Sequence, residues 1–395
     1  MPIVSEYDVR KVAGSGHRFL SVPTDAVITP QALEIADRLG VELRHGDPPQ
    51  VAVPGIDPVR AIQRVLLRRS PRWVAPEQRR GAAPSRFGRI AFVGSGMVGA
   101  TTAHLTAISG MADELTLTDV VPGLAESTAL DIEHSSGITG TATRARGGTS
   151  LNLVSGADVV VVTAGRPRNP GMTRATLYGI NRRVIADVGE AVGQYAPHAV
   201  VIVITNPVDE MTYEMWAASG LSDRQVIGMA GTLDSSRFRH ALARKAGTRP
   251  HDVWAVTMGS HGAEMVPIVS TSTIKGRPLT DVLKPAEVAA CIKETVDGGA
   301  SVVALRKTGS AFIAPAHATI ELLDALRGSI AGPVPVSAMV HGEYGIEGVF
   351  LGVRARLCRE GVAEIVEDSL DDGERMALGR SAEAIRSRIA GMPSD

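Results

Sequence analysis

Arg89-Ile90-Ala91-Phe92-Val93-Gly94-Ser95-Gly96-Met97-Val98-Gly99 is an apolar strand running directly into a glycine turn, and this junction decides the fold. Among 42 glycines a lone GxGxxG carries little weight; its place after a strand and before a helical stretch, Thr101 to Ser109, gives it meaning. Gly94, Gly96 and Gly99 permit a tight turn and a close backbone approach. A pyrophosphate would then rest on the N–H groups of Ser95, Met97, Val98 and their neighbours at the helix N-terminus. The next strand, Glu114 to Thr118, leads to Asp119. A carboxylate there accepts from ribose hydroxyls and repels a 2′-phosphate, which favours NAD over NADP.

Working outward, Ala157-Asp158-Val159-Val160-Val161-Val162-Thr163 and Ala199-Val200-Val201-Ile202-Val203-Ile204 are near-continuous β-branched runs. Strands buried on both faces have this composition. The fold class expected is α/β: a doubly wound parallel sheet (Rossmann) over 89–231, then an α+β substrate domain over 232–390. An amphipathic helix from Asp372 to Ile389 closes the second domain.

Residues 1–47 read as a small N-terminal unit. Thr29 caps a helix that begins at Pro30 and stops at Gly40, with Leu33, Ile35, Ala36 and Leu39 as its apolar residues, and a strand Val41-Glu42-Leu43 follows. Residues 48–88 hold prolines at 48, 49, 54, 58, 71, 76 and 84, a linker composition. Inside it, residues 57–69 form one amphipathic helical pattern with Val59, Ile62, Val65 and Leu66 on a common face. Over 57–88 eight arginines stand against Asp57 and Glu77.

The formal net charge of -1 argues against a general binder of nucleic acid or anionic membrane. Cys291 and Cys358 form neither a disulfide framework nor a metal spacing, so no metal is expected, and a cytoplasmic, reducing setting fits. The first residues lack a basic segment followed by an apolar core, so no secretory signal is read. No apolar run approaches the roughly 20 residues of a membrane span.

Gly259-Ser260-His261-Gly262, with Asp234 and the arginines 168, 174 and 237, supplies a proton-exchanging imidazole, a carboxylate to orient it and guanidiniums for an acidic substrate. Such a set suits a 2-keto or 2-hydroxy acid. Taken singly each residue is unremarkable: an isolated His-Gly is more often a loop, and a lone arginine a solvated one. Arg166 is read as a surface residue.

Several motifs in one order resemble the lactate/malate dehydrogenase superfamily, most closely its lactate-dehydrogenase-like malate enzymes. They are 163–174 (Thr-Ala-Gly-Arg-Pro-Arg-Asn-Pro-Gly-Met-Thr-Arg), Thr205-Asn206-Pro207-Val208-Asp209, 231–238, His261-Gly262-Ala263-Glu264-Met265-Val266-Pro267, Thr308-Gly309-Ser310-Ala311 and Gly342-Glu343-Tyr344-Gly345. The resemblance implies His261 as acid/base, oriented by Asp234, and Arg237 gripping the 1-carboxylate. It implies Arg174 on a closing loop that polarises the carbonyl. Asn206 and Ser310 would contact substrate, Asn181 would lie along substrate and nicotinamide, and Ile204, Thr205 and Asn206 would line the cofactor. An arginine at Arg168 implies a second carboxylate on the substrate, hence malate; lactate or another 2-hydroxy acid is the alternative. Where the family usually has aspartate after His-Gly, this chain has Ala263, which also keeps open a non-catalytic dinucleotide-binding scaffold. The superfamily's assemblies imply a homodimer or homotetramer. Residues 22–36 resemble a short unit near the start of enzymes associated with bacterial microcompartments. The helix at 57–69 is similar to peptides that attach cargo to shell proteins, against the plainer reading of a linker helix on the enzyme's own surface.

Overall fold

Thr29 and Pro30 start a helix through their side chains, and Gly40 stops it because it has none. Thr29 Oγ1 accepts the Ala32 N–H at 3.3 Å, and Gly40 ends the helix in the left-handed region at φ 66°. The computed structural model describes residues 3–14, 18–45, 84–166 and 174–391, and the chain separates into two units, 1–74 and 75–395. The first contains β1 (Ile3–Val4), α1 (Glu6–Gly14), β2 (Phe19–Val22), β3 (Val27–Ile28), α2 (Pro30–Leu39) and β4 (Glu42–His45). Strands β1 and β3 pair in parallel, as do β2 and β4. Val9, Val22, Ala32, Ile35 and Val41 form its core. Helix α1 was not legible in the sequence, and β4 extends beyond the expected 41–43. The helical pattern at 57–69 lies outside the described residues.

The second unit begins with β5 (Phe87–Val93), α3 (Met97–Ile108), β6 (Ala112–Thr118), α4 (Leu124–Thr139), β7 (Arg144–Gly148) and β8 (Val159–Val162). It continues through α5 (Arg174–Tyr195), β9 (Val200–Val203), α6 (Val208–Ser219) and β10 (Val226–Gly228). These strands lie parallel in the order β7-β6-β5-β8-β9-β10. Counted along the chain this is 3-2-1-4-5-6, the doubly wound order, whose direction of winding reverses between β5 and β8. Alternate residues of β5 go to opposite layers: Ile90 and Phe92 join the core with Ala103, Leu115 and Leu117, while Ala91 and Val93 join the one with Val160, Val162 and Ile185. With both faces covered, β8 and β9 have no solvent side to carry a polar residue.

The sheet then passes into an antiparallel half. Next come α7 (Gly231–Ala246), β11 (Val253–Gly259), β12 (Met265–Ile274), β13 (Arg277–Pro278), α8 (Pro285–Arg306), α9 (Ile313–Leu326), β14 (Val334–His341), β15 (Glu347–Cys358), β16 (Gly361–Ile365) and α10 (Asp372–Ala390). Gly228 of β10 pairs antiparallel with Ser337 of β14, so one continuous sheet carries both halves.

Phe92 is fully buried directly before the glycine turn. Phe92→Ala should cost about 3–5 kcal/mol of stability, the usual loss for a buried aromatic in a packed core. Thermal or urea unfolding reads this as a markedly lower midpoint; an unchanged midpoint would remove Phe92 from the core.

Candidate active site

The turn after β5 is built by exclusion of side chains. Gly94 has φ 101°, and a Cβ there would lie 2.6 Å from the Ala164 nitrogen; one at Gly99 would lie 2.0 Å from the Gly94 carbonyl oxygen. The two glycines therefore let α3 start hard against the strand. Gly96 occupies its N-cap with no side-chain cap, leaving the first N–H groups of the helix without intrahelical partners. The Ser95 hydroxyl is buried and unpartnered. Asp119 follows β6; its Oδ2 accepts the Ser95 N–H at 2.7 Å and its Oδ1 the Val121 N–H at 3.0 Å. Uncapped N–H donors, an orphaned hydroxyl and a carboxylate at the end of the second strand fit a dinucleotide's pyrophosphate and ribose.

The loops after β8 and β9 are braced by Asn181 of α5, which is buried. Its Oδ1 accepts the Arg166 N–H at 2.7 Å and its Nδ2 donates to the Asn206 carbonyl at 2.7 Å. Thr205 Oγ1 donates to the Ala164 carbonyl at 2.7 Å, and Ile204 is buried beside them. The Asn206–Pro207 bond is cis. Arg166 is exposed, as expected.

Asp234 lies in the first turn of α7 and His261 on the loop after β11. Asp234 Oδ2 is 2.7 Å from His261 Nδ1, and Asp234 Oδ1 is 3.2 Å from Arg237 Nη1. A single buried carboxylate thus holds both the imidazole and the guanidinium. Burial opposes the imidazolium, but the charge and hydrogen bond of Asp234 outweigh it, so the His261 pKa is held above its ordinary value. Ser310 sits in the exposed loop between α8 and α9, one residue from Gly309, where a Cβ would approach Met97 Sδ at 4.0 Å. Arg168 lies outside the described residues, as does the side chain of Arg174, the first residue of α5.

A family model for the lactate/malate dehydrogenase NAD-binding domain matches residues 88–228, and one for the family's α/β C-terminal domain matches 231–393. The chain belongs to the lactate/malate dehydrogenase family. Malate dehydrogenase 1 of Anaeromyxobacter dehalogenans is 39% identical over 304 residues, 76% of this chain and 97% of the relative. Malate dehydrogenase of Xanthobacter autotrophicus is 41% identical over 306 residues, 76% of this chain and 95% of the relative. In three dimensions, Cryptosporidium parvum malate dehydrogenase superposes with TM-score 0.75 at 35% identity, covering 78% of this chain and 99% of that one. The lactate dehydrogenase of the same organism, solved with lactic acid and nicotinamide adenine dinucleotide, also reaches TM-score 0.75, at 34% identity over 78% and 98% of the two chains.

Within this lactate/malate dehydrogenase frame the sequence reading passed over Asp209. Its Oδ2 accepts the backbone N–H of His261 at 2.8 Å and its Oδ1 accepts from Ser337 Oγ at 2.7 Å. Burial, then the neighbouring Glu210, push its pKa up to about 6. The available signal was an Asp-Glu pair in the first turn of the helix that follows the Asn206 loop.

The raised pKa of His261 has a definite sign. If His261 exchanges the substrate proton, reduction of a 2-keto acid needs its imidazolium, so the rate should hold at low pH and fall as pH rises through that pKa; oxidation of the hydroxy acid should show the mirror image. Asp234→Asn removes the stabilising charge, so the fall in kcat/KM for reduction should move to lower pH. A fall that stays in place would detach Asp234 from the titration.

Proposed function

We propose that the protein is an NAD-dependent malate dehydrogenase, interconverting (S)-malate and oxaloacetate. The observation that carries this reading is the buried Asp234 carboxylate shared by His261 and Arg237. With Nδ1 held by Asp234, His261 presents Nε2 to the substrate and accepts the 2-hydroxyl proton during oxidation, or returns it to the carbonyl oxygen during reduction. Arg237 offers a two-pronged fork to the 1-carboxylate. Arg174 polarises the carbonyl, and Asn206, Asn181 and Ser310 line the substrate. Gly94 to Gly99, Asp119 and Ile204 to Asn206 hold the NAD, which supplies the hydride acceptor when bound. Malate dehydrogenase relatives support the same reading.

Likeness of fold does not choose between malate and lactate, since structures of both kinds superpose equally well. The residue type at 168 does. In this reading a guanidinium at 168 would be paired by the second carboxylate of oxaloacetate and left desolvated by pyruvate. Arg168→Gln should therefore shift the ratio of kcat/KM for oxaloacetate over pyruvate toward pyruvate by about tenfold or more. A ratio that does not move would place Arg168 outside the pocket and remove the argument for malate.

For assembly, a homodimer or homotetramer is supported by the exposed Leu130 (54%) and Ile138 (92%) on α4 of the dinucleotide domain. The first residues serve location rather than chemistry in this reading, with a microcompartment shell protein as the partner of 57–69. Two facts support the separation from the chemistry and do not bear on the shell partner: the family match starts at residue 88, and the first unit has its own core, from Val4 to Val41. A chain beginning at Pro84 should then keep full malate dehydrogenase activity, while Ile62→Asp with Leu66→Asp should abolish co-purification with a shell and leave kinetics alone. An inactive truncated chain would make the extension part of the enzyme; a double variant still found with shells would make 57–69 a linker only.

A further inference from the structure

His261 sits on a short loop, residues 260–264. Two backbone hydrogen bonds lie within it, from the Gly262 N–H to the Ser260 carbonyl at 2.8 Å and from the Met265 N–H to the Gly262 carbonyl at 3.3 Å, and the Ala263 side chain adds no polar group to fasten the turn. The side-chain ties that hold the loop come from elsewhere in the chain. Arg388 of α10 donates from Nη2 to Ser260 Oγ at 2.9 Å, places Nη1 3.3 Å from Glu264 Oε2, and donates from Nε to Glu210 Oε1 of α6. Ser381, on the same helix, accepts the Ser260 N–H at 2.7 Å. On the other side Asp209, the neighbour of Glu210, accepts the His261 N–H.

One guanidinium therefore ties the residue before the catalytic histidine, the residue three beyond it and the helix that follows the Asn206 loop. A planar fork spreads its donors over three nitrogens in fixed directions and so reaches three separated acceptors at once, whereas the three donors of an ammonium radiate from a single point. Glu210 and Ser260 are each 2% exposed, so these two ties form where water competes poorly, while the contact with Glu264 is partly exposed.

We propose that Arg388, anchored by Glu210, is a positioning residue for the reaction: it clamps residues 260–264 from the C-terminal helix and so sets where His261 meets the substrate oxygen. The proposal rests on His261 as the acid/base, and the experiment keeps the two apart. Removing Arg388 alone strands a buried carboxylate and endangers the fold, so the pair is removed together. A buried ion pair replaced by apolar residues of similar volume generally leaves stability intact.

Glu210→Leu with Arg388→Leu should fold with an unchanged melting midpoint and bind NADH with an unchanged Kd. Its kcat for oxaloacetate reduction should fall about tenfold or more with little change in KM, because the acid is misplaced while the substrate clamps remain. Arg388→Lys, which keeps the charge and loses the fork, should fold normally and also lose kcat, to a smaller extent. Wild-type kcat in the double variant, or a loss confined to KM, overturns the proposal. Should the double variant not fold, wild-type kcat in Arg388→Lys overturns it. His261→Asn is the control: full turnover there would sink the acid/base reading itself, whatever Arg388 does.

Discussion

The site depends on one carboxylate. Asp234 is 2% exposed and its two oxygens face two different groups, the imidazole of His261 on one side and the guanidinium of Arg237 on the other. A buried carboxylate has to be paired, and pairing it with both groups fixes their separation and relative orientation. The imidazole and the guanidinium are thereby held in register before any substrate arrives, as the proposed acid/base and carboxylate-binding roles require. Removing the charge would free both at once.

That carboxylate can do this only because the sheet is continuous. Asp234 lies in the first turn of α7, soon after the last parallel strand, whereas His261 lies on the loop after β11 in the antiparallel half. The pairing of Gly228 with Ser337 joins the halves, and Ser337 in turn donates to Asp209, which holds the backbone of His261. The dinucleotide half and the C-terminal α/β half are thus joined by a ladder and by a buried hydrogen-bond chain, a stiffer link than a hinge. The polar chain is fully satisfied at Asp209, as a low-dielectric setting requires.

The parallel sheet was legible because its physics is local. Strands covered on both faces must be apolar throughout, and a glycine turn between strand and helix has few other uses, so β5, β8, β9 and the cradle were read without coordinates. Asp234, His261 and Arg237 were legible only as a set, through motif order, since each alone is an ordinary residue. Asp209, Glu210 and Arg388 escaped notice for a different reason. Their partners are 52, 178 and 128 positions away along the chain, and no spacing rule connects a helix near the middle of a sequence to one at its end. Asn181 was read as a lining residue; its amide turned out to be engaged with the backbone of two loops, which only the approach of those loops could reveal.

By itself, then, the amino-acid sequence determined the alternation of strands and helices, the glycine cradle, the carboxylate after the second strand and the kinds of side chain available for acid/base work. These follow from periodicity, from steric limits at single residues and from side-chain chemistry. Tertiary structure alone decided which oxygen of Asp234 serves which group, that Asp209 fastens the histidine loop, and that the last helix reaches back to clamp it. Those contacts arise when distant segments are brought together by burial of apolar faces. Burial is non-directional, so the pattern that drives it does not say which polar groups will meet.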